Sequence, residues 1–391
     1  MDYYYRQPQY YSVFRCIGGD CSASCCNNWR IVWSYQEYDK LINAPMSDEW
    51  RKKIENGFEK DEKKGKLTIK LCDDNRCPFH NRETDLCDIQ KDFGAEYLGF
   101  VCTTHPRILF KMENILFRSI NSSCPAVLKL LTDNVDAVKL ETRQARITKN
   151  DYKNMIVFSD KPEAIKDSPY LVKRNLIIDF YLNLFHSERP INTSIILGAL
   201  AAKRISDSND PNTIDYILNV FTNQIDANII KSVEEIEPNY ITKFKIVNNF
   251  MVLFFGEQES GVNISVLHNG ENVIQENYER GKEDFDKAFA GRNFFLRNIA
   301  ENIFLDIFFH LNFTKGTFFD MYTYYTVCIA VIQLFARAIG FASKNIEEDF
   351  INAVAHLSRR ISHNINGASS LLTIIKNIGL TTPAHLALII K

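Results

Sequence analysis

Nine of the ten cysteines lie before residue 125, in two runs. The first is Cys16-x4-Cys21-x3-Cys25-Cys26. The second is Cys77-x9-Cys87-x14-Cys102-x21-Cys124, with Cys72 just upstream. Thiolate sulfur is a soft donor that suits zinc or an iron–sulfur centre. Short spacings let one loop offer two or three thiolates to one centre, and distant cysteines then close the coordination sphere. Thiols clustered this way in a cytosolic chain favour metal ligation or redox chemistry over disulfides. The candidate ligands are Cys16, Cys21, Cys25, Cys26, Cys77, Cys87, Cys102 and Cys124. Cys72 and Cys328 read as small buried thiols.

The spacing leaves the metal open. The C-x2-C of zinc fingers is absent. So is the C-x3-C-x2-C triplet of radical enzymes: Cys21-x3-Cys25 supplies its first half, but the next cysteine is the adjacent Cys26. Two neighbouring cysteines do not easily ligate one centre, so Cys25 and Cys26 stay candidate ligands with a structural role open to one of them. His80 and His105 sit close to cysteines. His356 and His363 share a helix face. All four read first as core or hydrogen-bonding histidines.

These residues need a scaffold, and the rest of the chain supplies a helical one. Over 391 residues, 46% are hydrophobic and 24% charged, enough for a large core; the length suggests two or three domains. Gly (16) and Pro (11) are sparse, which favours long helices. The fold expected is mainly α. An irregular cysteine-rich metal-binding module spans 1–130 and carries a small β-hairpin, Ile108–Phe110 with Ile115–Phe117. A multi-helix body spans 131–391. Apolar periodicity places helices over Tyr170–His186, Thr193–Ile205, Ile214–Ile236, Phe285–Leu311, Met321–Phe341, Glu347–Ile365 and Ala368–Ile378, the last capped by Gly379. Asn269-Gly270 suggests a second hairpin. The charged run Glu49–Lys66 reads as a solvated helix and loop.

Several function classes are disfavoured. A net charge of -2 with dispersed Lys and Arg gives no field for nucleic acid. The start, Met1–Tyr11, lacks the order of a signal peptide. Met321–Ala342 contains Gln333 and Arg337, so it reads as a core helix rather than a membrane span. A cytoplasmic location is the expectation. With no G-x-G-x-x-G after a strand and no βαβ alternation, a Rossmann-like methyltransferase domain is not expected.

The wording of the cysteine segments resembles the flagellin lysine-N-methylase family. The resemblance begins with Phe14-Arg-Cys-Ile-Gly-Gly-Asp-Cys21-x3-Cys25-Cys26-x2-Trp29. It continues through Cys77-Pro-Phe, Leu86-Cys87-Asp-Ile-Gln90, Glu96-Tyr97-Leu98, Cys102-x3-Pro106-Arg107 and Ser123-Cys124-Pro125. In the body, Arg292–Asn298 is similar to that family's ENYLVNY helix, and Ser358-Arg359 with His363-Asn364 to its SR…EHN segment. The cysteine order alone is also similar to small bacterial zinc- or iron-chelating domains. Thr103, His105, Ala126 and Ser362 depart from the family pattern, which has an arginine, an aromatic residue and two glutamates there.

The resemblance implies methyl transfer from S-adenosylmethionine to flagellin lysines. It also implies an iron–sulfur cluster of the [4Fe-4S] type, with zinc as the alternative metal. Displacement at a sulfonium methyl needs a neutral lysine amine, whose ammonium pKa is about 10.4. It does not need iron. A non-catalytic metal-stapled adaptor, or an iron or redox sensor that binds a protein partner, is the competing reading.

Overall fold

The computed structural model describes residues 3–27, 31–61, 65–112, 114–145, 156–157, 169–208, 210–255, 262–267, 274–310, 316–363 and 365–391. The fold is mainly α with small sheets, and among the described residues there is no parallel doubly wound core.

The hairpin forms as expected but is longer. Strand β5 (Arg107–Met112) pairs antiparallel with β6 (Ile115–Ile120). It is the middle of a larger sheet that the sequence did not suggest. Strand β1 (Tyr3–Pro8) runs parallel to β6 and antiparallel to β7 (Leu140–Ala145), and β8 (Ile156–Val157) lies outside β5. The order is β7-β1-β6-β5-β8. Strand β7 reads LETRQA, with no apolar alternation, so its pairing is decided by the edge it completes. A second sheet pairs β2 (Val32–Trp33), β4 (Lys66–Ile69) and β3 (Phe58–Asp61). Its hydrogen bonds take up part of the charged run: Asp48–Asn56 is a helix, capped by Ser47, but Phe58–Asp61 is a strand rather than loop.

Three of the expected helices are broken, the two longest among them. Ile214–Ile236 is two helices, Pro211–Asn223 and Ala227–Glu234. The Asp226 side chain accepts from the Asn228 N–H at 2.8 Å and starts the second one afresh. Phe285–Leu311 is likewise divided into Ile274–Ala288 and Phe295–His310. Gly291 at φ +77° turns the chain, and Phe289 stacks on Phe295 with ring centres 4.0 Å apart. A shared apolar period survives both breaks, which is why periodicity alone joined the pieces. Tyr170–His186 is divided too, into Pro169–Val172 and Arg174–Phe185. The second hairpin does not form on its expected flanks: Ile264–Leu267 is a 3-10 turn and residue 274 begins a helix. Asn269-Gly270 itself lies outside the described residues.

Helix Phe318–Ala342 is long and apolar enough to cross a membrane, yet 83% of its most apolar stretch is buried inside the protein. Its neighbours include Ile274–Ala288, Ile191–Ser206 and Pro383–Ile390. Gly281 and Gly340 allow a close crossing: a Cβ at Gly340 would come within 2.1 Å of the Gly281 carbonyl. Gly379, at φ +78°, follows helix Ile365–Asn377 and ends it as expected.

The main core gathers these helices with Tyr10, Phe14, Phe110, Phe117 and Leu128. A separate core of residues between Ile31 and Cys102 includes Trp33, Phe58, Phe79 and Cys77. One face of helix Phe295–His310 is polar and buried. Asn298 donates to the carbonyls of Leu131 and Asn134, Asn302 to Ile120 O and Ser122 Oγ, and Asp306 accepts from the Ser122 N–H at 2.8 Å. This stripe, at i, i+4 and i+8, grips the chain on both sides of Cys124.

Burial raises the Asp306 carboxyl to about 7, well above its value of about 3.9 in an unfolded chain. The folded state then keeps a proton that the unfolded state has lost. The stabilising contribution is complete below about pH 4 and is lost as pH rises through about 7. Asp306→Asn keeps an acceptor for Ser122. It is expected to flatten the fall in stability across this window by up to ~1.4 kcal/mol per pH unit. Thermal melts of both proteins over a pH series check this; parallel curves would contradict it.

Candidate functional site

Backbone pairing explains how the distant cysteine runs meet. The Cys77 N–H donates to the Cys26 carbonyl at 2.9 Å, and Asn27 bridges Arg76 beside it. Residues 77–88 then fold back: His80 bridges Cys87, and the Asp88 N–H reaches Phe79 O at 2.8 Å. Helix Phe100–Thr104 brings Cys102 to the same core. Cys26, Cys77, Cys87 and Cys102 therefore pack together. Burial first disfavours the thiolates of Cys77, pushed up to about 12, Cys87 and Cys102, with neighbouring sulfurs adding to it, while Cys26 is raised first by its hydrogen bond to Cys25 and then by burial.

Cys16, Cys21 and Cys124 form a second set. Cys16 is exposed and Cys21 half-buried, and Cys124 sits at the N-terminus of helix Pro125–Asp133. Burial pushes Cys124 up to about 11, and Cys21 and Cys16 add to the shift. Cys25 lies between the sets. The Cys26 thiol donates to it, and despite some burial Arg359 adds to the lowering, so Cys25 falls to about 7. Cys72 is exposed, next to the first set, and Cys328 is buried in the middle of helix Phe318–Ala342. The expectation of burial thus holds for Cys328 and fails for Cys72.

The donor set can be tested against a metal centre. Backbone N–H groups favour the thiolates of several cysteines: Ala23 at Cys21, Phe79 at Cys77, Gln90 and Ile89 at Cys87, Val127 and Ala126 at Cys124. Such N–H···S bonds stabilise ligating sulfur and tune a cluster. The Trp33 indole N–H is buried with no oxygen or nitrogen acceptor and faces Cys102. Among the described residues, no three His, Cys, Asp or Glu form a group that could hold a metal ion. The thiols have the chemistry of soft-metal donors and gather in two neighbourhoods, but among the described residues no three of them stand close enough to hold one ion.

The histidines divide. His80 is buried, its Nε2 3.3 Å from Asp85 Oδ1, and burial lowers its pKa. His105 ends helix Phe100–Thr104 as its C-cap. The side chain of His363 lies outside the described residues. His356 differs, because it lines a cavity of about 480 Å³.

That cavity is the feature sequence reasoning missed. Its floor is the loop Ser22–Asn27, which carries Cys25 and Cys26. One wall is apolar, from Val262, Val266, Ala338 and Ile339. The other is one face of helix Ile346–His363, bearing Asp349, Asn352, His356 and Arg359. The spacing of i, i+3, i+7 and i+10 was a readable signal, though it pointed to no partner. Asp349 is exposed at the mouth, Asn352 and His356 are half-buried, and Arg359 is buried at the base. Arg359 donates to the carbonyls of Ala23 (3.0 Å), Ser24 (3.2 Å) and Asn27 (2.9 Å). Ser22 donates to Asn352 Oδ1 at 2.7 Å. The helical body thus holds the cysteine loop by its backbone.

A family model described as the FliB lysine N-methylase C-terminal domain matches residues 174–389. A flagellar biosynthetic protein FliU of Salmonella muenchen is 25% identical over 142 residues, 36% of this chain and 83% of that protein. Lysine-N-methylases of Salmonella typhimurium and Salmonella choleraesuis are each 26% identical over 144 residues, 35% of this chain and 34% of theirs. The match thus spans about a third of the length of those two methylases. No solved structure matches the chain.

Arg359→Lys keeps the charge but loses the fork that serves three carbonyls. It is expected to cost about 2–5 kcal/mol in stability, as for a broken buried charged network. Hydrogen exchange at residues 22–27 should rise above that of the rest of the protein. Unchanged exchange there would mean the loop is held by something else.

Proposed function

The chain belongs to the FliB lysine N-methylase C-terminal domain family, and on that premise we propose that it is a protein-lysine N-methyltransferase. We assign it S-adenosylmethionine as methyl donor and flagellin lysines as acceptors, with a thiolate-held iron–sulfur centre beside the site. The observation that carries the reading is positional. The family match covers helices Phe318–Ala342 and Ile346–His363, whose side chains line the cavity above the cysteine loop. The FliU and lysine-N-methylase names of its relatives support flagellar substrates.

The residues that would hold the centre are Cys26, Cys77, Cys87 and Cys102, with Cys16, Cys21, Cys25 and Cys124 beside them. A bound cluster supplies redox or Lewis-acid chemistry there, and zinc supplies structural closure alone. Methyl displacement asks other things of the chain. The acceptor ammonium must lose a proton before its nitrogen has a lone pair. His356 is the imidazole on the cavity wall, and in its neutral form one ring nitrogen accepts that proton. The apolar wall excludes water from the reacting methyl.

Anaerobically purified protein incubated with S-adenosylmethionine and flagellin should produce single-methyl mass increments on flagellin lysines. Intact, metal-loaded protein that gives no increment would defeat the reading. His356→Gln is expected to lower kcat about a hundred-fold and to remove the acidic limb of the pH–rate profile. A profile that keeps this limb would assign the base elsewhere.

A further inference from the structure

The cavity has a shape and a set of unmet needs that specify an occupant. Its volume of about 480 Å³ falls in the range of small-molecule sites, about 300–1,000 Å³. Asn27 Oδ1 is buried without a hydrogen-bond partner and lies on the cavity lining. A buried carbonyl oxygen left this way is costly, and a ligand N–H would satisfy it. Along helix Ile346–His363 the lining runs from a carboxylate at the mouth, Asp349, to a guanidinium at the base, Arg359. Ten residues of helix separate them, a span of about 15 Å. Asp349 already accepts from Ser343 Oγ at 2.5 Å, which fixes the side chain while a carboxylate retains further acceptor capacity.

We propose that this cavity is the methyl-donor site, occupied by an adenosine-bearing amino-acid sulfonium. This rests on the methyltransferase reading above. The ribose hydroxyls donate to Asp349, as vicinal hydroxyls do to an acidic side chain in nucleotide sites generally. The nucleobase lies on the wall of Val262, Val266 and Ile339. The amino-acid end goes to the base, where its ammonium donates to Asn27 Oδ1 and its carboxylate lies at the Arg359 end. This orientation sets the sulfonium beside His356, in the middle of the cavity. It also sets the amino-acid end against the loop that carries Cys25 and Cys26. The chain that binds the donor is thus drawn from both ends of the sequence, and neither the cysteine segment nor the helical body has a complete site by itself.

The test is equilibrium dialysis of the full-length protein, purified anaerobically, with methyl-labelled S-adenosylmethionine and no acceptor. Two variants address the pocket. Asn27→Leu removes the buried acceptor, and Ala353→Phe fills the cavity from the helix. Each should weaken donor binding at least about ten-fold, with melting temperature and metal content close to the parent. Binding within about two-fold of the parent in both variants would overturn the donor pocket while leaving the methyltransferase reading intact. A parent protein that binds no donor would overturn both. Should the variants fold poorly, hydrogen exchange on the parent decides. Donor-induced slowing at residues 22–27 and 349–359 supports the site, and slowing confined to other segments refutes it.

Discussion

One buried cation joins the two halves of this protein. Arg359 sits in the last third of the chain, only 6% exposed, and its guanidinium donates to three carbonyls of the loop between Cys21 and Asn27. Loop carbonyls withdrawn from water need donors. A planar fork can serve several at once, where an ammonium serves fewer from a single point. The cost of burying the charge is reduced because neighbouring sulfurs, Cys25 foremost, favour the guanidinium. The same proximity helps draw Cys25 down to about 7. The seating of the loop therefore depends largely on one side chain: without it three loop carbonyls lose their donor.

A second anchor works from the other side. The buried amides and carboxyl of Asn298, Asn302 and Asp306 take up backbone groups from Ile120 to Asn134. Tyr10 closes this network through a hydrogen bond to Asn302 and another from the Ile120 N–H. Cys124 lies in the middle of the held segment. Each cysteine set thus has its own tie to the helical body. Neither set depends on the small core between Ile31 and Cys102 alone to hold its position. For a site built from loops this matters, because loops have few backbone bonds of their own and must be held by neighbours.

The cavity follows from these ties. A helix face that carries an acid, an amide, an imidazole and a guanidinium would be an ordinary solvated stripe if nothing covered it. Here the cysteine loop is pulled over its base by Arg359, and Val262 and Val266 close the far wall. The stripe becomes graded, wet at Asp349 and dry at Arg359. Such a gradient suits a ligand with a polar end and a reactive end, because the dry end strengthens electrostatic interactions.

The amino-acid sequence determined the kind of scaffold and raised the expectation of one kind of chemistry. Thiols in two runs indicated soft-metal ligands by composition and spacing alone. Apolar periodicity gave a mainly helical body, and the β5–β6 hairpin and the Gly379 cap were legible from local signals. Those are short-range properties, set by residues within a few positions of each other. Periodicity could not see the breaks at Asp226 and Gly291, because a local cap or a left-handed glycine outweighs a continuing apolar pattern. Strands β1 and β7 were invisible for a different reason. Their register depends on an edge supplied by β6 and on each other, and LETRQA carries no strand signal of its own. Only the tertiary structure decided which thiols share a neighbourhood, and that His356 faces a cavity rather than the core. Both depend on contacts between segments far apart in the chain, from Cys26 against Cys77 to Ser22 against Asn352, and no sequence interval encodes that distance.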